Sequence, residues 1–267
     1  MSDFPQSNLS LLKQLVIDAG QEELLPRFQH TGFSYKQDGS VVTEADLRVQ
    51  ARLQQVLLDL SPQIPLLGEE MTEREQASII GDGTATFWCL DPLDGTRNFA
   101  SGIPFFSISL ALIENGQPVI GIIYDPIRDE CFTAGCGQGA SINGNPLKTN
   151  NIAHNVLSRC TAIIDFKRLP DDLAARLASN PPYSSQRSFG SVALDWVWLA
   201  AGRAQVYLHG KQKLWDYAAG WLILAEAGGI SSTLEGVSSF QAVLEPRSAV
   251  AASNIELYQQ WFEWLGA

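Results

Sequence analysis

Trp88-Cys89-Leu90-Asp91-Pro92-Leu93-Asp94-Gly95-Thr96-Arg97-Asn98-Phe99 is the stretch on which the reading of this chain turns. An apolar run ends in two carboxylates three residues apart. Pro92 holds the turn between them, and Gly95 allows close approach of the backbone. Thr96 then opens a helical turn. Carboxylates at a strand end make a hard-oxygen site that suits Mg²⁺, and the free N–H groups of a following helix start suit a phosphate. Metal beside phosphate is the arrangement of phosphoryl chemistry. A lone Asp-x-x-Asp-Gly reads more simply as a solvated turn at the end of a strand.

Three further acidic stretches change that balance. Ile64-Pro65-Leu66-Leu67 reads as a short strand delivering Glu69 and Glu70, as Thr84 to Leu90 reads as one delivering Asp91. Strands that both end in carboxylates can converge on one ion. Val42-Thr43-Glu44-Ala45-Asp46 opens a helical pattern through Val49, Leu53, Val56, Leu57 and Leu60, with Thr43 as N-cap and Asp46 reaching back to it. Trp215-Asp216-Tyr217-Ala218-Ala219-Gly220 leads an apolar helix through Ala227, stopped by Gly228-Gly229. On spacing alone Asp216 is a helix N-cap. If the strand ends converge, Glu69, Asp91, Asp94 and Asp216 form a cluster of like charges that calls for a cation, and its ligands are all hard oxygens.

The remaining chain alternates helix and strand. A helix is expected from Ser7 to about Phe28, with Leu11, Leu12, Leu15, Val16 and Ala19 at helical spacing and Ser7 or Ser10 as cap. Tyr35 to Ser40 reads as a turn with Lys36 exposed. Phe106, Ile108, Leu110 and Leu112 alternate with smaller residues as a strand, and Glu114-Asn115-Gly116-Gln117 joins it to a partner over Val119 to Tyr124. Gly135-Cys136-Gly137-Gln138-Gly139-Ala140 matches the dinucleotide fingerprint in form, but Asn143-Gly144-Asn145-Pro146 forbids the helix that must follow, so the segment reads as a turn-rich sheet edge. Beyond about Asn150 a second sheet begins, with strands at Thr161 to Asp165, Ala204 to Leu208 and Ala249 to Ala252. Helices are expected at Pro170 to Ala178, from Gly190 to Ala200, and at Ile255 to Leu265. The division falls into residues 1–150 and 151–267.

The chain has 267 residues and a net charge of −11, which argues against nucleic-acid or anionic-membrane partners. Cys89, Cys131, Cys136 and Cys160 have no CxxC pair and no zinc spacing with the three histidines, so reduced thiols are expected; His30 and His154 have no paired ligand. No secretory signal and no membrane-spanning apolar run is visible, which makes a cytoplasmic location the expectation.

Together the four stretches resemble the inositol monophosphatase superfamily, whose signatures DPxDGTxN and WDxAAG are met here as DPLDGTRN and WDYAAG. The resemblance covers nearly the whole chain. It implies an α/β fold, the layered α/β/α/β/α sandwich of the inositol monophosphatase and fructose-1,6-bisphosphatase type, with both halves forming one catalytic unit. It implies Mg²⁺-dependent hydrolysis of a small phosphate monoester, with two or three ions, sensitivity to Li⁺, and a homodimer. Glu69, Asp91 and the Leu93 carbonyl would hold one ion; Asp91, Asp94 and Asp216 would hold a second. Glu70 and Lys36 would stand behind this cluster.

By the same resemblance Gly95 and Thr96 would bind phosphate oxygens. The Thr96 hydroxyl, held by Asp46, would orient the attacking water with Glu69, and no covalent intermediate would form. Gly190, Ser191 and Val192 would line the alcohol side. Inositol-specific members carry a Glu seven residues before the aspartate of WDxAAG, and here that position is His209, an imidazole able to donate to an anion. Arg97 is either a second cation for such a substrate or a solvated surface charge. The alternatives are a 3′(2′),5′-bisphosphate nucleotidase, a fructose bisphosphate or histidinol phosphate phosphatase, and a metal- or phosphate-binding regulator. Haloacid-dehalogenase phosphatases also carry Asp-Gly-Thr, but in the pattern DxDGT.

Overall fold

Strands gather into two large sheets, one drawn from residues 66–147 and one from residues 161–252, beside a two-stranded antiparallel pair of residues 33–35 and 41–43. The computed structural model describes residues 8–30, 32–35, 41–81, 85–149 and 155–266. In chain order its elements are α1 (Leu9–Ala19), β1 (Phe33–Tyr35), β2 (Val41–Thr43), α2 (Glu44–Leu60), β3 (Leu66–Gly68), α3 (Glu73–Ile80), β4 (Phe87–Asp94) and α4 (Thr96–Ala100). There follow β5 (Ser107–Glu114), β6 (Gln117–Asp125), β7 (Glu130–Gly135), β8 (Gly139–Ile142), β9 (Asn145–Leu147), β10 (Thr161–Asp165) and α5 (Asp171–Ser179). The chain closes through β11 (Ser185–Arg187), α6 (Val192–Ala200), β12 (Val206–Gln212), α7 (Leu214–Ala227), β13 (Ile230–Ser232), β14 (Arg247–Ala252) and α8 (Ile255–Leu265).

Strands β3 to β9 lie side by side in chain order, while the second sheet has the order β11-β10-β12-β14-β13. In the first sheet only the pair β3/β4 is parallel; in the second, β10 is parallel to both β11 and β12. The faces of β5 explain the layering. Ile108, Leu110 and Leu112 join Leu12, Val16, Val49 and Leu53 of α1 and α2 in one core, whereas Ala111 and Ile113 face a second core with Trp196 of α6 and Ala219 and Ile223 of α7. That second core also takes Ile163, Tyr207 and Ala251 from the five-stranded sheet, whose other face packs Ile164, Leu208 and Val250 against Leu177 and Trp261. The stack is therefore helices, seven strands, helices, five strands, helices, the α/β/α/β/α sandwich.

Small residues let the central helices sit close. A Cβ on Gly220 would stand 2.5 Å from the Trp196 Cβ, and one on Gly121 of β6 would stand 2.8 Å from the Ala219 carbonyl. Bulk at either point would push α7 away from α6 or from the sheet.

Several boundaries differ from the sequence reading. The first helix is α only over Leu9–Ala19 and continues as a π turn, Gly20–Leu24, and a 3₁₀ turn, Leu25–Arg27. Gly20 lies against the Tyr124 ring, where a Cβ would be 2.7 Å away, and Pro26 offers no N–H to continue an α ladder. Ser10 sits inside this helix and Leu11 is exposed. The strand expected at Ile64–Leu67 is β3, Leu66–Gly68, and β4 runs through Asp91 to Asp94 with an irregular register rather than stopping at the first carboxylate. Asp216 is not the N-cap of α7 but its third residue, its carboxylate reaching back to accept the Lys213 N–H at 2.8 Å. The turn at 36–40, with Lys36, and the proposed cap Ser7 lie outside the described residues.

The Asn115-Gly116 hairpin forms with φ of 51° and 72°, as the turn requires. Gly137 and Gly139 make a β7/β8 hairpin at the sheet rim and no Rossmann helix.

Candidate active site

The parallel pair β3/β4 brings Glu69 and Asp91 to the carboxyl end of both strands, the end at which ligands of α/β sheets gather. Glu69 follows β3, its N–H bonded to the Leu90 carbonyl of β4 at 3.1 Å. Asp91 is fully buried and accepts the Leu93 N–H at 3.0 Å. Opposite it in register stands Ser109, whose hydroxyl donates to the Trp215 carbonyl at 3.1 Å and so pins the start of α7, with Asp216, to the strand that carries Asp91.

Asp94 points the other way. It accepts the Ser191 hydroxyl, the Val192 N–H at 3.1 Å and the Ala193 N–H at 2.7 Å, so one carboxylate takes the orphan donors at the start of α6. This fastens the second half of the chain to the first. It also spends the Ser191 hydroxyl and the Val192 N–H on Asp94.

The charges interact across these elements. Burial drives the Asp91 carboxyl well above the ordinary range, and the charges of Glu69, Asp94 and Asp216 push it further. Burial likewise raises Asp216, with Asp94 and Glu69 adding to it. Asp94 is raised to about 6 by burial, against the pull of its three donors. Burial with Asp91 and Asp216 nearby also raises the Cys89 thiol, which keeps it protonated. Among the described residues no three acidic, imidazole or thiol side chains stand ready to grip one ion. The donor set nonetheless fits a hard divalent cation in kind: buried carboxylate oxygens pressing on one another, and a Ser107 hydroxyl beside Asp94 in register with no partner.

Thr96 and Asp46 complete the floor. Thr43 and Asp46 form the expected capping box, with the Asp46 carboxylate accepting the Thr43 N–H at 2.9 Å and the Thr43 hydroxyl at 2.6 Å. The Thr96 hydroxyl stands 3.0 Å from Asp46 Oδ1 and 2.8 Å from the Leu93 carbonyl. One hydroxyl proton cannot serve both acceptors at once. Burial raises Asp46 to about 6 in spite of these bonds. Gly95, at φ 94°, precedes α4 against the Phe105 carbonyl, 3.0 Å from where a Cβ would lie. Glu70 bonds through its N–H to Gln50.

The alcohol side of the site differs from the sequence expectation. His209 is buried, with Nε2 3.1 Å from Asp165 Oδ2 and Nδ1 accepting the Lys211 N–H at 3.1 Å. Both ring nitrogens are spent inside the fold. Burial works to raise Asp165, but His209, through hydrogen bond and charge, with Arg168, holds it below the usual range. Arg97 is exposed at the rim.

Sequence reasoning missed three contributors. Asn98, present in the quoted motif, donates to the Phe105 carbonyl at 2.8 Å and the Phe189 carbonyl at 2.7 Å, and so holds the segment that leads into Gly190, itself at φ 81°. Asp195 is buried with Oδ1 unpartnered, an isolated acid in an apolar helix whose helical spacing reads as core. Asp165 became relevant only through the register that sets it beside His209.

Comparison with known proteins adds relatives. The model of the inositol monophosphatase family matches residues 6–265. The Nus factor SuhB of Pasteurella multocida is 35% identical over 208 residues, 77% of this chain and 76% of that protein. The inositol-1-monophosphatase of Bacillus subtilis is 34% identical over 227 residues, 84% of this chain and 82% of that protein. The crystal structure of the extragenic suppressor protein suhB from Bartonella henselae superposes with a TM-score of 0.85 at 31% identity, covering 97% of this chain and 98% of the other.

Proposed function

This chain belongs to the inositol monophosphatase family, and we propose that it hydrolyses a small phosphate monoester with the help of Mg²⁺ bound at Glu69, Asp91, the Leu93 carbonyl, Asp94 and Asp216. The observation that carries the reading is the gathering of two buried carboxylates of β4, Asp91 and Asp94, with the half-buried Asp216 of α7, whose start the Ser109 bond to the Trp215 carbonyl pins beside Asp91; the charges of Glu69 and Asp94 bear on both Asp91 and Asp216. Such a cluster is stable when ionised only if cations neutralise it. The ions would supply a lowered water pKa, charge neutralisation and an in-line hold on the ester.

The chain's own residues do the rest. Gly95 and Thr96 offer backbone N–H groups to phosphate oxygens. When the Leu93 carbonyl is engaged elsewhere, the Thr96 proton goes to Asp46, leaving the Thr96 oxygen lone pairs to accept from the attacking water and orient it. Asp94 holds α6, and with it the Gly190–Val192 segment, against the site; Asn98 holds Phe189. No side chain need become a nucleophile. Inositol phosphates head the substrate list by relationship, and bisphosphates of sugars or nucleosides are the alternative.

A second reading follows from relatives that carry the name Nus factor. A regulatory role would then use the same scaffold, through protein contacts rather than nucleic acid, given the net charge of −11. Phosphate release with Mg²⁺ and with EDTA, across inositol 1-phosphate, adenosine 3′,5′-bisphosphate, fructose 1,6-bisphosphate and histidinol phosphate, separates the two. Metal-dependent release from any of them supports the phosphatase; no release from all, with metal bound, favours the regulator.

A further inference from the structure

The Phe166–Arg168 turn leaves the carboxyl end of β10 and lies directly on β12: a Cβ on Gly210 would fall 1.7 Å from the Arg168 carbonyl. Only glycine admits that contact. It fixes the Arg168 backbone beside His209, where β12 bulges before leading into α7 and Asp216. Asp165 reinforces the turn by accepting the Lys167 N–H at 3.1 Å while its other oxygen meets His209.

Of the neighbouring cations, Lys211 is exposed on β12 two residues after His209 and Lys213 lies 6.0 Å from the Trp215 ring, while three arginines are engaged elsewhere. Arg187 folds back on the Ser185 hydroxyl and the Gln186 carbonyl, Arg128 is paired with Asp125, and Arg203 with Glu130. Arg168 is exposed and, among the described residues, forms no hydrogen bond or ion pair. An exposed guanidinium on a backbone that Gly210 locks beside His209 is a charge held ready for something that enters from solvent.

We propose that Arg168 is a specificity-determining residue that binds a second anionic group, phosphate or carboxylate, carried by the alcohol part of the substrate. The proposal rests on the phosphatase reading and narrows its substrate class to esters with a second negative charge. Arg168 takes the role that His209 cannot fill, since the imidazole serves as a buried support beneath it. An acidic protein gains local attraction for a dianionic ligand in this way.

The test compares glycerol 2-phosphate, 3-phosphoglycerate and adenosine 3′,5′-bisphosphate as substrates in Mg²⁺, for the wild type, Arg168→Gln, Arg168→Lys and Lys167→Gln. The wild type is expected to prefer a doubly anionic ester. Arg168→Gln should raise KM for that ester roughly 10- to 100-fold, the usual range for a lost hydrogen bond to a charged group, with kcat and the glycerol 2-phosphate kinetics within about twofold. Arg168→Lys should recover part of the loss, and Lys167→Gln should match the wild type. Which of the two doubly anionic esters is affected tells carboxylate from phosphate. Equal losses on all three substrates, no loss on any, or no wild-type preference for a second charge overturns the proposal. If no ester is hydrolysed at all, the phosphatase reading has failed. Calorimetric binding of the same three compounds then still decides on Arg168, since tighter binding of a doubly anionic one must weaken in Arg168→Gln.

Discussion

Removing metal should make this protein less stable as the pH rises from 5 to 7, the reverse of ordinary acid denaturation. Asp46 and Asp94 are buried and sit at about 6, against 3.8 for a free aspartate. In that window the folded chain binds more protons than the unfolded chain, so stability is lost as pH rises through the folded value. Two-state linkage with those values gives about 1.3 kcal/mol lost per carboxyl between pH 5 and pH 7, or about 2.6 kcal/mol for the two. Asp91 and Asp216, raised by the same burial, act in the same direction. At roughly 2–4 °C per kcal/mol for a chain of this size, the Tm in EDTA should fall about 5–10 °C. Asp165, held low, titrates below the window and does not offset the fall. Saturating Mg²⁺ at about 100 times its Kd adds about 2.7 kcal/mol, and only to the ionised cluster, so the fall should largely vanish. Scanning calorimetry at pH 5, 6 and 7, in EDTA and in Mg²⁺, measures both. A Tm in EDTA that is flat or rises towards pH 7, or Mg²⁺ stabilisation equal at pH 5 and 7, would refute the reasoning.

Thr96→Ala should lower kcat about 100-fold, while Thr96→Ser, which keeps the hydroxyl between Asp46 and the Leu93 carbonyl, stays within about threefold in steady-state assays. Gly220→Ala should cost about 1–3 kcal/mol in urea unfolding, because its methyl meets Trp196 at the α6/α7 contact. His209→Ala should cost about 1–3 kcal/mol by leaving the Asp165 carboxylate and the Lys211 N–H without their partner. A stability equal to wild type in the same unfolding experiment would show that the buried pair is not structural.

What could be read in advance was mostly local. The Thr43–Asp46 box, the Asn115-Gly116 hairpin and the Gly228 cap are each fixed by side-chain chemistry within a few residues, and each forms. The layered sandwich came from the resemblance, since the alternation of β5 alone shows two faces without saying what covers them. The misses are non-local. Gly20 departs from the α-helix where it lies against Tyr124, far along the chain. His209 looks like a free donor until the parallel register of β10 and β12 supplies Asp165. Asn98, Arg168 and Gly210 acquire meaning only from contacts with segments remote in sequence. Asp216 shows the opposite error: spacing makes it the N-cap, but the helix starts at Leu214 and the Asp216 carboxylate reaches back to the Lys213 N–H from within the first turn.

The central claim is that a cation held by these carboxylates drives hydrolysis, and Asp94→Asn tests it most directly. The amide keeps the size of the side chain but removes the charge and turns one of the two oxygens that accept from the start of α6 into a donor. Phosphate release in Mg²⁺ should be abolished by EDTA in the wild type and fall at least roughly 1,000-fold in the variant, with the far-UV circular dichroism of the two proteins the same. A variant that still releases phosphate at the wild-type rate, or a wild-type rate that EDTA leaves unchanged, would contradict the account.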